Sequence, residues 1–197
     1  MDDNILKLDE GTYLQQGGSI RSWEYYSRYT VAADTVRTKI FVAKLGDAGF
    51  TRDDQTNMPA PGRIPNSQRF DCNAVSIGYV GGAAKSDANV IAIAKWLYTT
   101  IIRFSIQDKV DLFQKRLSSI LGLGLFLFND PTTAAEPVNH TLRTDVSKAF
   151  LLKRPIKLAS NTDFFVEVIP GVAAAAQQVT DTDFLDIGLH GDLWSRV

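Results

Sequence analysis

Short segments in which every second residue is apolar recur along this chain. Three of them are Val75, Ile77 and Tyr79; Ile102, Phe104 and Ile106; and Leu185, Ile187 and Leu189. A period of two places such side chains on one face of an extended strand, whereas a helix would bury residues three or four apart. The pattern therefore restricts the chain to a fold built mainly from half-buried strands.

Two proline-bearing segments separate the strand candidates. "TRDDQTNMPAPGRIPNS" (residues 51–67) holds three prolines and a glycine, and "NDPTTAAEPVNHT" (residues 129–141) holds two prolines. Proline cannot donate a backbone hydrogen bond to a sheet ladder, and it disrupts the interior of a helix. Both segments are predicted to be loops.

One segment is typical of a helix. In "SDANVIAIAKWLYTT" (residues 86–100) the apolar residues recur at helical spacing. Ser86 can cap the free backbone amides of the first turn, and Asp87 suits the positive end of the helix dipole. The sequence predicts a single short helix here.

Two pairs of strands are predicted around polar corners. The alternation through Ile106 enters a corner at residues 107–109 and resumes at Val110 and Leu112, which is the pattern of a hairpin. "FLLKRPIKLASNTDFFVEVIPG" likewise divides into two strands around a corner at residues 159–163.

The segments together amount to about eight strands and one short helix. Parallel βαβ units would need a helix between most strands, so the pattern indicates an antiparallel sandwich or jelly roll. A chain of 197 residues with 45% hydrophobic residues can form one domain with a substantial core. We therefore expect an all-β fold.

Charge and cysteine content limit the partners and the compartment. The formal net charge is -1 without a run of basic residues, which gives no electrostatic reason for tight binding to nucleic acid. The densest basic cluster, Lys153, Arg154 and Lys157, is interpreted as a solvated strand edge. A lone Cys72 excludes an internal disulfide framework and is expected to be a core thiol. The acidic first residues do not resemble a signal peptide, so synthesis in the cytoplasm is expected.

The residue types do not favour an enzyme or a metal site. The two histidines, His140 and His190, are interpreted as surface residues, and a first-row metal site needs more imidazole or thiolate ligands than the chain supplies. "DTDFLD" begins like a calcium loop but lacks its glycine and terminal glutamate, so Asp181, Asp183 and Asp186 are expected to be surface carboxylates. We predict no catalytic residue and no cofactor.

Three segments are distinctive in their order along the chain. They are "TNMPAPGRIPNSQRFDCNAVSIGYV", "TTIIRFSIQDKVDLFQKRL" and the pair "RPIKLASNTDFFVEVIPG" with "DFLDIGLHGDLWSRV". In this order they resemble the single jelly-roll capsid proteins of tailless icosahedral bacterial viruses and related virion proteins of marine phages. They cover about half the chain. In the last pair, residues of the family's closing strands fall in the family's order: Pro155, Asn161, Phe165, Leu189, Gly191 and Arg196.

The resemblance implies a jelly roll of about eight strands that forms a capsid shell, as a major or minor capsid protein without a chemical step. Its partners would be further copies of the chain, as trimers, pentamers or hexamers, and other virion proteins. It implies localisation in the virion and no specific nucleic-acid site. Contact with an internal membrane stays open, as does the role of a decoration protein of a phage head.

Residues 1–27 are interpreted as an arm or first strand that contacts a neighbouring subunit, and residues 28–197 as the jelly-roll domain. Candidate subunit contacts are Trp23, Tyr25, Tyr26, Trp194 and Arg196. The aromatic residues of the first segment look exposed, which also favours an alternative of a different class. That alternative is a β-sandwich that binds a glycan or a receptor.

Overall fold

The chain folds mainly into antiparallel strands. The computed structural model describes residues 6–9, 12–15, 18–30, 37–47, 50–80, 87–106, 110–121, 125–129, 140–144, 149–172 and 183–196. Its strands are β1 (Leu6–Asp9), β2 (Thr12–Gln15), β3 (Gly18–Thr30), β4 (Thr38–Ile40), β5 (Gln68–Val80), β6 (Ile101–Ile106), β7 (Val110–Arg116), β8 (Leu125–Asn129), β9 (His140–Thr144), β10 (Phe150–Leu158), β11 (Phe164–Ile169) and β12 (Phe184–Arg196). Its helices are α1 (Asp87–Thr99) and α2 (Leu117–Ile120).

The strands form two sheets. The larger has eight strands in the order β1-β2-β3-β12-β5-β9-β8, with β10 also paired to β5, and the smaller has the order β4-β11-β6-β7. One apolar cluster draws side chains from both sheets, among them Ile77 and Ile187 from the larger and Phe104 and Val166 from the smaller. The arrangement is sandwich-like, and the predicted all-β class is confirmed.

Strand β12 lies in the middle of the larger sheet. It pairs with β3 along all thirteen residues of each strand, and its other edge pairs with β5. Leu185, Ile187 and Leu189 are fully buried on its inner face. Each such side chain contributes about 1.5–3 kcal/mol by leaving water. The predicted alternation is confirmed.

The pairing of β5 with β12 shifts by one residue at Asn73. His190 lies opposite Ala74, whereas Gly191 lies opposite Cys72. A Cβ atom on Gly191 would overlap the backbone carbonyl of Asp71, so only glycine allows the strands to approach this closely. Cys72 is fully buried, as predicted, and burial raises the pKa of its thiol to about 12.

The described part of the chain contains twelve strands and two helices, so the predicted numbers were too low. The predicted helix is confirmed as α1, while its predicted cap, Ser86, lies outside the described residues. Strands β1, β2, β8 and β9 and helix α2 were not predicted. Among the described residues, no helix is long and apolar enough to cross a membrane.

The predicted boundary between residues 27 and 28 falls inside β3. Residues 18–27 are therefore part of the larger sheet, paired with β12. Residues 6–9 and 12–15 form a hairpin that adds two strands to the sheet at the start of β3. The contact of this segment with a neighbouring subunit stays a prediction.

The predicted hairpin at residues 101–116 is confirmed as β6 and β7, and its corner at 107–109 lies outside the described residues. The pairing shifts between Phe104 and Ser105. Phe113 consequently packs against the core, whereas Leu112 is 39% exposed. The expectation that Leu112 continues the apolar face was wrong, because an irregularity in the ladder moves every later side chain to the other face.

A matched pair of isoleucines tests the central position of β12. Ile187 is fully buried, whereas Ile91 on α1 is 73% exposed. We expect Ile187→Ala to lower the free energy of unfolding by about 2–5 kcal/mol, because a cavity adds to the lost burial. Ile91→Ala should change it by less than about 0.5 kcal/mol. Urea titration followed by tryptophan fluorescence measures both, and equal effects would contradict the assigned register.

Candidate functional site

The outer face of the larger sheet carries polar side chains at its centre. Strand pairing sets Glu24 of β3 opposite His190 of β12, and Arg28 opposite Asp186. Between these pairs, Tyr26 lies opposite Gly188. These residues alternate with the buried ones, so the same register that fills the core places a row of charged groups on the other face.

Three side chains converge over Gly188. Nε2 of His190 lies 2.7 Å from Oγ of Ser76 and 3.6 Å from Oε1 of Glu24. A Cβ atom on Gly188 would overlap the Glu24 carboxylate and lie 3.1 Å from Nε2 of His190. The absence of a side chain at Gly188 therefore leaves the space in which the three groups meet.

This cluster differs from a catalytic triad. In a triad, one imidazole nitrogen faces the hydroxyl nucleophile and the other faces the carboxylate that orients the ring. Here the same nitrogen of His190 faces both Ser76 and Glu24. Because one nitrogen cannot accept from the serine while it donates to the carboxylate, the geometry does not activate Ser76 as a nucleophile.

The predicted loop at residues 51–67 covers the edge of β3 beside the cluster. The backbone amide of Arg28 donates to the carbonyl of Gln55 at 2.8 Å. The Asn57 side chain accepts from the amide of Tyr26 at 2.9 Å and donates to the carbonyl of Glu24 at 2.6 Å. The loop thereby satisfies strand groups that would otherwise be free to pair with another chain.

Arg28 joins this loop to β12. Its guanidinium lies 2.8 Å from Asp186 and 3.1 Å from Asp54, and 4.0 Å from the ring centre of Phe184. Asp54 also accepts a hydrogen bond from Arg52 at 2.8 Å. That hydrogen bond, followed by the charges of Arg52 and Arg28, lowers the pKa of Asp54 below its ordinary value.

An open cleft of about 340 Å³ lies above Gly188, between β3, β5, β12 and the loop at residues 51–67. Its walls offer the carboxylates of Glu24, Asp54 and Asp186, the imidazole of His190 and the side chain of Tyr26. Carboxylates accept hydrogen bonds from cationic groups and from hydroxyls. Within the described residues, no group of three or more His, Cys, Asp or Glu side chains is arranged to hold a metal ion.

Of the four predicted contact residues whose side chains the structure describes, Tyr26 alone lines this cleft. Tyr25 is 2% exposed in the core, so the expectation that it is exposed was wrong. Its hydroxyl donates to Oε1 of Gln68 at 3.3 Å, and burial raises its pKa to about 12. Trp23 is half-buried and packs against the core, with Arg21 4.2 Å above its ring.

The other two predicted contacts lie towards the end of β12. Trp194 is partly buried, and the guanidinium of Arg69 lies 4.4 Å from its ring centre. Arg196 is paired with Gly18, and its side chain lies outside the described residues. A role of Trp23, Tyr26, Trp194 and Arg196 in subunit contacts stays a prediction.

The structure places the residues interpreted as surface carboxylates and surface histidines in different environments. Asp183 is fully buried, so that interpretation was wrong; burial and the neighbouring Asp183 raise the pKa of Tyr79. His190 is half-buried through its bond to Ser76. Asp181 and the side chain of His140 lie outside the described residues.

Four residues of the site were not predicted from the sequence: Glu24, Arg28, Asp54 and Ser76. One signal was available, because polar side chains at every second position, here Glu24, Tyr26 and Arg28, are typical of the polar face of a strand. Their convergence with Ser76 depends on strand pairings that join distant parts of the chain.

The two exposed arginine–aspartate pairs provide a pH test. Because the pKa of Asp54 is lowered in the folded chain, the ion pair stabilises the fold above the ordinary aspartate pKa, and this contribution is lost as pH falls through the lowered value.

We expect Arg52→Ala to raise the pKa of Asp54 in a carboxyl NMR titration. As a control, Arg63→Ala should raise the pKa of Asp163 and leave that of Asp54 unchanged, since Arg63 pairs with Asp163 at 2.7 Å. An unchanged pKa of Asp54 in Arg52→Ala would contradict the assignment.

Comparison with known proteins adds no relative to this picture. No protein-family model matches the chain, and the search of curated proteins finds no match.

Proposed function

We propose that the chain is a single jelly roll and that it acts as a virion structural protein, which assembles with copies of itself into an icosahedral shell. The observation that carries the proposal is the order of the strands in the two sheets. Shell assembly needs no chemical step, and we propose none for this chain.

The strand order supports the jelly roll in detail. Within the larger sheet, β3-β12-β5-β10 are neighbours, and the smaller sheet has the order β4-β11-β6-β7. Along the chain, β3, β4 and β5 alternate between the sheets, β6 and β7 form a hairpin, and β10, β11 and β12 alternate again. A jelly roll consists of eight strands in two Greek keys, and these connections support that assignment for the eight strands. The hairpins β1–β2 and β8–β9 are then additions to that frame.

Two of the segments that resemble phage capsid proteins meet in space. The amide of Asn161, at the corner between β10 and β11, donates to the carbonyl of Ile64 in the proline-bearing loop at 3.0 Å. Asn161 adopts a left-handed backbone with φ of 57°, which asparagine tolerates better than most residues. The resemblance therefore includes a residue, Asn161, whose left-handed backbone conformation shapes the corner between β10 and β11.

The cleft favours a second candidate function. The cleft places Tyr26 together with the carboxylates of Glu24, Asp54 and Asp186, and this combination of aromatic and acceptor groups suits sugar hydroxyls. A glycan- or receptor-binding sandwich, or a decoration protein of a phage head, is the alternative. Specific binding of a glycan by the monomer would favour the first of these.

Self-association of the purified chain tests the proposal. We expect light scattering across protein and salt concentration to give trimers, pentamers, hexamers or closed shells, with electron microscopy of any large particles. Localisation in the virion predicts that the same assemblies appear in purified particles. A monomer at every concentration would overturn the proposal and favour the binding or decoration role.

A further inference from the structure

A cationic bulge projects from the edge of the larger sheet. In β10, Leu151 lies opposite Ala74 and Ile156 lies opposite Cys72, so four residues of β10 face the single residue Asn73. The bulge holds Lys153 and Arg154, and both are exposed, as the sequence analysis expected. Neither forms an ion pair with a described residue.

The cleft contains a carboxylate, Glu24, that likewise lacks a lysine or arginine partner within the described part of the chain. The Glu24 side chain is 47% exposed, and Nε2 of His190 lies 3.6 Å from its Oε1, beyond hydrogen-bond distance. By contrast, Asp186 and Asp54 are each bound by an arginine. Within the described part of the chain, Glu24 therefore has an acceptor group without a donor, beside an open volume.

The bulge of the same chain lies too far away to supply that donor. Strands β10, β5, β12 and β3 follow one another across the sheet. Neighbouring strands are about 4.8 Å apart, so the bulge and Glu24 are separated by roughly 14 Å across the sheet. A second copy of the chain can bring the same bulge to the cleft directly.

We propose that the cleft at Glu24 receives the bulge of a second copy, with Arg154 against the Glu24 carboxylate. This inference rests on the proposed function, since it names the contact through which copies associate. A guanidinium presents parallel N–H donors that match a carboxylate, and Tyr26 and Gly188 leave room for a flat group.

The two halves of this contact lie on different parts of one molecule. A two-fold dimer would form the Glu24–Arg154 pair twice between the same two copies, whereas a head-to-tail contact forms it once at each junction and closes into a ring when the rotation between copies permits. The proposed shell requires the head-to-tail form. Rings of five or six copies are the units from which icosahedral shells are built. The edge of one larger sheet would then lie against the outer face of the next.

A charge exchange tests this contact in the full chain. We expect Glu24→Arg alone and Arg154→Glu alone each to raise the concentration for half-assembly by roughly tenfold or more. The combined variant restores the opposite charges and should return to within about threefold of the unmodified chain. Light scattering measures the assembly, and circular dichroism with thermal melting verifies that each variant folds.

Lys95→Glu is the matched control, since Lys95 is an exposed cation that belongs to α1 and neither to the bulge nor to the lining of the cleft. It should assemble like the unmodified chain. If an arginine at 24 disturbs folding, Glu24→Gln with Arg154→Gln tests the same contact without a new charge, and each should weaken assembly. Normal assembly of the single variants, or failure of the combined variant to recover, would overturn the contact and leave the shell proposal in place. Failure of the unmodified chain to assemble would overturn both.

Discussion

The pairing of β12 between β3 and β5 is the constraint on which the rest of the structure depends. It joins strands that are more than a hundred residues apart in the chain, at Leu185 and Tyr29 and again at Leu185 and Tyr79. Closing such long loops costs conformational entropy. The hydrogen bonds of the continuous ladder offset this cost, together with the burial of the inner-face side chains, which lie in the apolar cluster shared with the smaller sheet. Neither sheet has a complete core by itself.

The same pairing positions the cleft. Because side chains alternate along a strand, the register that buries Ile187 also presents Asp186 and Gly188 on the outer face. A shift by one residue would exchange the two sets. Core stability and the geometry of the polar cluster are therefore linked, and Gly188 and Gly191 illustrate the link. One leaves space for side chains on the outer face, and the other allows two backbones to approach.

The inner face of the strands was predictable from the sequence, while the pairing irregularities were not. The burial of Leu185 and Ile187 was predictable because apolar residues occupy alternate positions in this segment. In β3, by contrast, aromatic residues lie on both faces, so Tyr25 and Tyr26 look equivalent until the pairing with β12 assigns one to the core. The bulge in β10 and the shift at Asn73 depend on the partner strand, which the local sequence does not contain. The cleft could not be predicted without those pairings, because the residues that line it come from β3, β5, β12 and a loop.

A net charge near zero conceals the way in which charges are distributed over the fold. The value of -1 gives no electrostatic reason to expect a polyanion partner, and it averages over the exposed cations of the β10 bulge and the carboxylates of the cleft. A bulge against a bulge or a cleft against a cleft would bring like charges together, whereas a bulge against a cleft pairs opposite charges. In the proposed head-to-tail contact, Arg154 of one copy meets Glu24 of the next, and the remaining cleft and bulge stay available for further copies. Association of this form continues from copy to copy, and a shell made of many copies requires that property.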